Sequence, residues 1–489
     1  MSEVTQKELR VLFISAEAEP FARVGGLGDV GGALPRALRK LELTEPETRL
    51  DVRLILPYYG VIKKADYPVE RVTEFDVPSR RGPVHAVVYE TFYEGLPVYF
   101  VDGPAILPDD PVYGQDFQLD AEKFIFFSLA SLQFPKEIGW PVQIMHANDW
   151  HSAIAIHALK RIRMTDSFYK SVKGIITIHN LPFMGTGSKK ALSLFKVNSS
   201  RNPVMPPWSR SLPLPMGIDA ADWILTVSPH YAQEILTPAF GCDLQDYLKT
   251  RLDHLSGILN GLDTDLWNPE TDRSINTNFS ASNLSARVAN KVALQKELGL
   301  PVDPQIPLMA FVGRMELQKG ADLVLQTLSK LKPRNWQAVI LGTGKKDLQE
   351  GALLLEKQHP QNVRALLKFD SLLSHRVYAA ADMLLMPSRY EPCGLSQMIA
   401  MRYGCIPVAS ATGGLVDSIE NHTASKVGTG YLFDLELRQG LTKTLHRALR
   451  DFQDKASWLE LQQNAMAQDH SWKFSALEYA HLYEWLVEH

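Results

Sequence analysis

Short apolar runs recur along this chain, and most are followed by a longer stretch whose apolar residues fall at helical spacing. In the first half the runs are Val11 to Ala16, Val52 to Leu56, Ala86 to Tyr89, Val98 to Val101, Gln143 to His146, Gly174 to Ile178 and Ile224 to Val227. A continuous apolar strand, unlike one that alternates with polar positions, is buried on both faces, so the rhythm predicts a parallel sheet covered by helices on each side. A polar, Asn- and Ser-rich stretch from Asp272 to Asn290 interrupts it. It then restarts with Leu308 to Val312, Gln337 to Leu341, Val363 to Leu367, Met383 to Met386 and Ile406 to Ala409. The prediction is two doubly wound α/β domains with a hinge near Asn260 to Asp272. Three helical patterns close the chain, Leu437 to Phe452, Ser457 to Gln468 and Trp472 to Val487.

Length agrees with this division, since 489 residues exceed what one hydrophobic core serves. The net charge of −4 leaves no global basic field to hold nucleic acid or an anionic membrane, so any anion site must be local. Cys242, Cys393 and Cys405 are odd in number and lack CxxC spacing, which speaks against a disulfide framework or a zinc knuckle. No apolar run reaches the roughly 18 residues of a membrane span, and the first ten residues are polar. A cytoplasmic protein without membrane or nucleic-acid partners is expected.

The densest mixture of charge and glycine lies between Met386 and Leu415, MPSRYEPCGLSQMIAMRYGCIPVASATGGL. A strand, a turn carrying Arg389 and Glu391, and a helix from about Cys393 to Tyr403 are predicted there. A second strand then breaks at Thr412, Gly413 and Gly414. Two strand-to-helix turns on one sheet edge offer unpaired N–H groups to an anion. Glu391 fits an anion site poorly, and two readings stay open for it: a ligand for a sugar hydroxyl, or an acid favoured by the helix dipole. Arg314 and Lys319, in GRMELQKG at the end of another strand, supply two cations able to neutralise a diphosphate.

The first domain carries its own candidates. Gly26, Gly28 and Gly31 spell GxGxxG within RVGGLGDVGG, yet they begin about nine residues past the strand and the second strand lacks the acid that holds a ribose. A flexible loop whose amides, with Arg23, approach a diphosphate accounts better for Arg23, Gly25, Gly26 and Asp29. HANDWH, His146 to His151, ends a strand; the five-residue spacing of its histidines suits a metal poorly, whereas Asp149 and Trp150 suit a sugar's hydroxyls and apolar face. The next strand ends similarly in His179 and Asn180.

RVGGLGDV, HANDWH, IHN, TVSPHYAQEI, ILNGLDTDLWNP, GRMELQKG, PSRYEPCGLSQ and TGGL occur in order across nearly the whole chain. As an ordered set they resemble the glycogen synthase and starch synthase family of retaining glucosyltransferases. The resemblance implies the GT-B architecture: two Rossmann-like domains, 1–261 and 262–472, facing each other over a deep cleft, with a final helix, 473–489, packing back on the first. It implies ADP-glucose as donor substrate, an α-glucan acceptor such as glycogen or starch, and no metal or other cofactor. Arg314 and Lys319 would hold the phosphates with help from the amides of Thr412 to Leu415, Gly413 and Gly414 included, and Phe369 would lie near the base. Glu391 would contact the sugar, His179 would be the active-site histidine, and Asp149 would touch sugar or acceptor. Asn260 would lie close to the glucosyl group. Asn180, Cys393, Gly394 and Leu395 complete the substrate-binding set, although the Cys393 thiol itself is expected to pack.

The chain departs from the family pattern at four places. Arg23 stands where lysine is usual, and Pro182 to Gly185 replace an AYQG sequence. Leu212 to Pro215 replace a stretch that carries a lysine, after a proline-rich insert from Asn198, and Ser410 and Ala411 stand where arginine is common. These departures keep open a UDP-glucose donor, another acceptor, or a catalytically weak glucan-binding scaffold.

Overall fold

Strand β1 (Lys7–Ile14) is the centre of the first of two sheets in the computed structural model, which describes residues 7–41, 48–65, 67–109, 111–332, 335–424, 426–437 and 439–489. Around it lie β2 (Thr48–Pro57), β3 (Glu70–Val77), β4 (Val84–Tyr93), β5 (Leu96–Asp102), β6 (Ile144–Asn148), β7 (Lys173–Ile178), β8 (Trp223–Thr226) and β9 (Leu255–Gly257), in the order β3-β4-β5-β2-β1-β6-β7-β8-β9. The expected all-parallel sheet is corrected here, because β3, β4 and β5 form an antiparallel meander on one edge. The five-residue helix Gly60–Lys64 lies between β2 and β3, a short connection, residues 78–83, joins β3 to β4, and the two-residue turn of Glu94 and Gly95 joins β4 to β5. A short turn returns the chain antiparallel, whereas a parallel crossover needs a dozen or more residues. β3 escaped the pattern reading because its run, ERVTEFDV, is largely exposed.

The second sheet is parallel throughout. It consists of β10 (Leu308–Val312), β11 (Gln337–Leu341), β12 (Val363–Leu366), β13 (Met383–Met386), β14 (Ile406–Ser410) and β15 (Tyr431–Phe433), in the order β12-β11-β10-β13-β14-β15. The order reverses beside β1 in the first sheet and beside β10 in the second. In doubly wound sheets ligands bind off the carboxyl ends of strands at such reversals.

The chain divides into two compact units, one running to Gly261 and taking in Trp472–His489, the other Leu262–Ser471. In the first, the helix Trp472–Glu488 buries Trp472, Ala476, Tyr479, Ala480 and Tyr483 in the core beneath β1. Those residues fall at i, i+4, i+7, i+8 and i+11, one face of a helix. His146, expected at a ligand edge, sits inside β6 instead: its Nδ1 is 2.6 Å from the Tyr483 hydroxyl and its Nε2 2.6 Å from Thr177 Oγ1. Nδ1 thus ties that helix to the sheet while Nε2 ties β6 to β7, and burial pushes the imidazole down to about 3, so it stays neutral.

Among the described residues, no helix is long and apolar enough to cross a membrane. Residues 1–6, whose polarity entered the expectation about localisation, lie outside the described residues.

Candidate active site

In the second unit the loops following β10, β11, β13 and β14 all leave the same carboxyl edge of one parallel sheet. Glu391, in the loop after β13, is 4 % exposed. Lys319 Nζ lies 2.7 Å from each of its carboxylate oxygens, and Ser388 Oγ donates to Oε2 at 2.9 Å. Ser410 Oγ in turn donates to the Ser388 carbonyl at 2.5 Å. Arg389 takes no part in this cluster: its guanidinium pairs with Asp322 at 2.8 Å through both nitrogens, and its N–H donates to the Gln318 carbonyl. The loop carrying Glu391 is thereby fastened to the loop carrying Lys319. Arg314 extends outward with its side chain 59 % exposed, 3.3 Å from Glu316. Phe369, beyond β12, is 85 % exposed.

Two expectations for this region are corrected. The helix expected from Cys393 begins at Ser396, so neither Glu391 nor the buried Cys393 lies in its first turn and the dipole reading of Glu391 falls away. Gly394 takes φ +75° just ahead of it, with Leu395 as the cap residue. The amides assigned to an anion after β14 are also largely used within the chain. Thr412 N–H donates to the Ser410 carbonyl, Gly414 N–H to the Glu391 carbonyl and Leu415 N–H to the Thr412 carbonyl. Gly413 and Gly414 are glycines for a packing reason: a Cβ at Gly413 would stand 2.0 Å from the Glu391 carbonyl oxygen, and one at Gly414 2.2 Å from that of Cys393. Together they let the TGG turn lie directly against the Glu391 loop.

In the first unit the carboxyl ends of β6 and β7 bring Asn148, Asp149, His179 and Asn180 together. Asp149 opens the helix Asp149–Ile162 with a left-handed backbone, φ +54°, and its Oδ1 accepts from the N–H groups of His179 (2.7 Å) and Asn180 (3.3 Å). Burial pushes this carboxyl up to about 7 despite those two donors. Asn148 donates through Nδ2 to the Ile14 carbonyl, which leaves its Oδ1 to accept from His179 Nε2 at 2.9 Å. His179 therefore carries its proton on Nε2 and presents Nδ1 as an acceptor. Its imidazole is held at about 3 by burial, so it is neutral. Asn180 Oδ1 and Asn260 Oδ1 are buried acceptors without a hydrogen-bond partner. Trp150, expected to stack on a sugar, packs instead against Phe124 and His151 at ring separations of 5.1 and 4.5 Å.

The glycine-rich segment is corrected as well. Gly26 to Gly32 are not a flexible loop but the opening turns of the helix Gly26–Arg39, whose Leu27, Val30, Leu34 and Leu38 are buried. A Cβ at Gly31 would stand 2.2 Å from the Glu17 carbonyl oxygen and one at Gly32 2.3 Å from that of Glu19, so this helix lies against the chain leaving β1. Only Arg23 to Gly25 remain outside the helix. Arg23 pairs with Asp29 at 2.9 Å and with Glu19 at 3.4 Å. Burial raises Asp29 to about 7, with Arg23 opposing. Of the departure at Leu212 to Pro215, Leu212 caps the helix Pro213–Ala220, in which Pro213, Leu214, Pro215 and Met216 are all buried. Sequence reasoning missed Ser388, Asn148 and Glu17. Each is a single polar residue beside a strand end; Asn148 and Glu17 are linked to His179 and Tyr113 only across long stretches of chain, and the Ser388 hydroxyl, three residues before Glu391, carries no signal that separates it from a surface serine.

Comparison with known proteins places this geometry. The starch synthase catalytic domain family model matches residues 10–250, and the glycosyl transferases group 1 model matches residues 295–464. The glycogen synthase of Clostridium perfringens is 40 % identical over 489 residues, covering 99 % of each chain. That of Streptococcus mutans is 38 % identical, covering 98 % of this chain and all of its own. Among solved structures, the catalytic domain of starch synthase IV from Arabidopsis thaliana, bound to ADP and acarbose, superimposes with a TM-score of 0.86 at 32 % identity over 99 % of this chain and 100 % of its own. Sucrose-phosphate synthase from Thermosynechococcus elongatus, at 19 % identity and a TM-score of 0.61 over 98 % of this chain and 99 % of its own, shares the fold. With two doubly wound α/β domains of the GT-B type and relatives of this identity along its whole length, the chain belongs to the glycogen synthase and starch synthase family of retaining glycosyltransferases.

Proposed function

We propose that the protein transfers glucose from ADP-glucose to the non-reducing end of an α-1,4-glucan, with retention of configuration. The observation that carries this reading is the Lys319–Glu391–Ser388 cluster on the carboxyl edge of the second sheet, in a chain whose relatives are glycogen synthases and whose structural neighbour holds ADP and acarbose. An ammonium has three donors; Lys319 spends two on Glu391 and keeps one for a phosphate oxygen. Arg314, exposed and forked, can take a diphosphate through two N–H groups. Phe369, an exposed ring, lies beside the base, and Gly394, Leu395 and Thr412 to Gly414 shape the wall around the diphosphate.

The two cations stabilise charge that develops on the leaving diphosphate as the glycosidic bond loosens, which is where preorganised charge lowers a barrier most. Glu391, fixed by Lys319 and Ser388, accepts from sugar hydroxyls. In the first unit, His179 Nδ1 and the unpartnered oxygens of Asn180 and Asn260 are acceptors for hydroxyl groups, and Asp149 fixes the backbone that carries the first two. Arg23, Gly25, Gly26 and Asp29 act on the donor from the first unit. With Glu391 held for hydroxyl contacts, attack by the acceptor hydroxyl on the face that the diphosphate leaves accounts for retention. No metal is required by this scheme.

A direct test incubates the protein with glycogen and labelled ADP-glucose or UDP-glucose. Incorporation from ADP-glucose is expected, with a smaller rate from UDP-glucose. A preference for UDP-glucose would move the donor assignment to the alternative, and no incorporation from either would leave the glucan-binding scaffold.

A further inference from the structure

Glu17 is 2 % exposed and takes no part in the scheme above. It leaves the end of β1, and its side chain turns toward the segment that precedes the helix Gly26–Arg39. Oε2 accepts from the N–H groups of Val24 at 2.5 Å and Gly25 at 2.9 Å. Oε1 accepts from the Tyr113 hydroxyl. Consecutive backbone amides converging on one point form a seat for an anion, and here the fold's own carboxylate occupies it. The amides expected to approach a diphosphate are thus turned inward, and the side chain between them and β1 decides where Arg23 stands.

Tyr113 extends the connection. Its ring stacks on His151 at 5.0 Å, two residues after Asp149. Its own loop is fixed by Asp120, which accepts from Gly114 N–H at 2.8 Å and pairs with Lys123 at 2.8 Å, and Lys123 also donates to the Val112 carbonyl. One buried carboxylate therefore joins the chain after β1, the Arg23–Gly25 segment and the loop that lies against the Asp149 helix.

We propose that Glu17 is a positioning residue for substrate handling: its carboxylate fixes the Val24 and Gly25 amides, and so sets Arg23 and Gly26 in place for the donor. The effect on the donor rests on the proposed function; the tether itself does not. The test therefore has two readouts. Amide exchange of the full chain, read at Val24 and Gly25, is slow in the wild type and is expected to become fast in Glu17→Ala, with exchange in β1, β6 and β7 unchanged. In the same variant KM for ADP-glucose is expected to rise, so that kcat/KM for ADP-glucose falls at least ~10-fold, the scale of misplacing a positioning group, while KM for glycogen stays within about twofold; loss of folded protein lowers apparent kcat alone and leaves both KM values unchanged. Should Glu17→Ala fail to fold, Glu17→Gln is read in the same way; a neutral acceptor holds these amides less strongly than a carboxylate, so faster exchange and a lower donor kcat/KM are expected again. Unchanged exchange at Val24 and Gly25 in the folded variant overturns the tether. Faster exchange with wild-type donor kinetics overturns the positioning role. A wild type that transfers from no donor sinks the proposed function instead, and exchange alone then decides the tether.

Discussion

Glu391 and Lys319 show how a single charge gains a role from its partners. A carboxylate 4 % exposed is costly unless paired, and here it is paired twice by one ammonium and once by a hydroxyl. Removing either charge should lower turnover at least ~100-fold, the scale of losing a preorganised charge contact. The two losses are not equivalent for stability. Lys319→Met strands a buried carboxylate and should cost about 3–5 kcal/mol, whereas adding Glu391→Gln to it should restore much of that loss. A double-mutant cycle by urea unfolding checks this, and additive losses would contradict the pairing. Asp149 and His179 make a second residue-scale prediction, with opposite signs. The Asp149 carboxyl, raised from 3.8 to about 7, binds its proton more tightly in the folded state, so its contribution is complete below pH 4 and lost as pH rises through 7. Asp149→Asn should therefore gain stability relative to the wild type between pH 4 and 7.5 in urea melts, and a constant difference would argue against it. His179, lowered from 6.5 to about 3, contributes above pH 6.5 and loses that contribution only as pH falls toward 3. Its imidazole resonances should not titrate between pH 5 and 8.

At the scale of elements, the sequence shows where strands end far better than what the turns after them do. Strand ends carrying Asp149, His179, Arg314 and Glu391 were legible because chemistry-bearing residues followed apolar runs. Glycines were harder, since one letter serves several purposes. In RVGGLGDVGG the same residues suit an anion loop, a dinucleotide turn or a helix pressed against a neighbouring backbone, and only the position of Glu17 and Glu19 reveals the last. Likewise TGGL suits an amide cradle until the Glu391 and Cys393 carbonyls are seen against it. The two kinds of glycine should separate by substitution. Gly413→Ala places a Cβ against backbone at φ +46° and should cost about 2–4 kcal/mol. Gly26→Ala meets no atom within 4 Å, so stability should hold within about 0.5 kcal/mol. If Gly26 touches substrate, that variant should nonetheless lose at least ~10-fold in turnover; thermal melts with initial rates decide, and full activity would remove Gly26 from the site.

For the whole molecule, two restarts of one hydrophobic rhythm give two sheets with the same logic, each presenting its candidate residues from the carboxyl edge beside a reversal of strand order. The antiparallel edge β3-β4-β5 was invisible to that rhythm because β3 is mostly exposed. Of the four departures from the family pattern, Leu212 to Pro215 cap and begin a buried helix, and Ser410 supports Ser388 beneath Glu391. Those two are accommodated within the fold, whereas Arg23 changes a group that stands at the surface. The central claim is the donor and the bond it supplies. The most direct measurement is incorporation of labelled glucose into glycogen from ADP-glucose and, separately, from UDP-glucose, by the wild type and by Glu391→Ala. Faster transfer from ADP-glucose, into α-1,4 linkages and abolished in the variant, is the expected result. No transfer from either donor, or transfer that Glu391→Ala leaves unchanged, would contradict it.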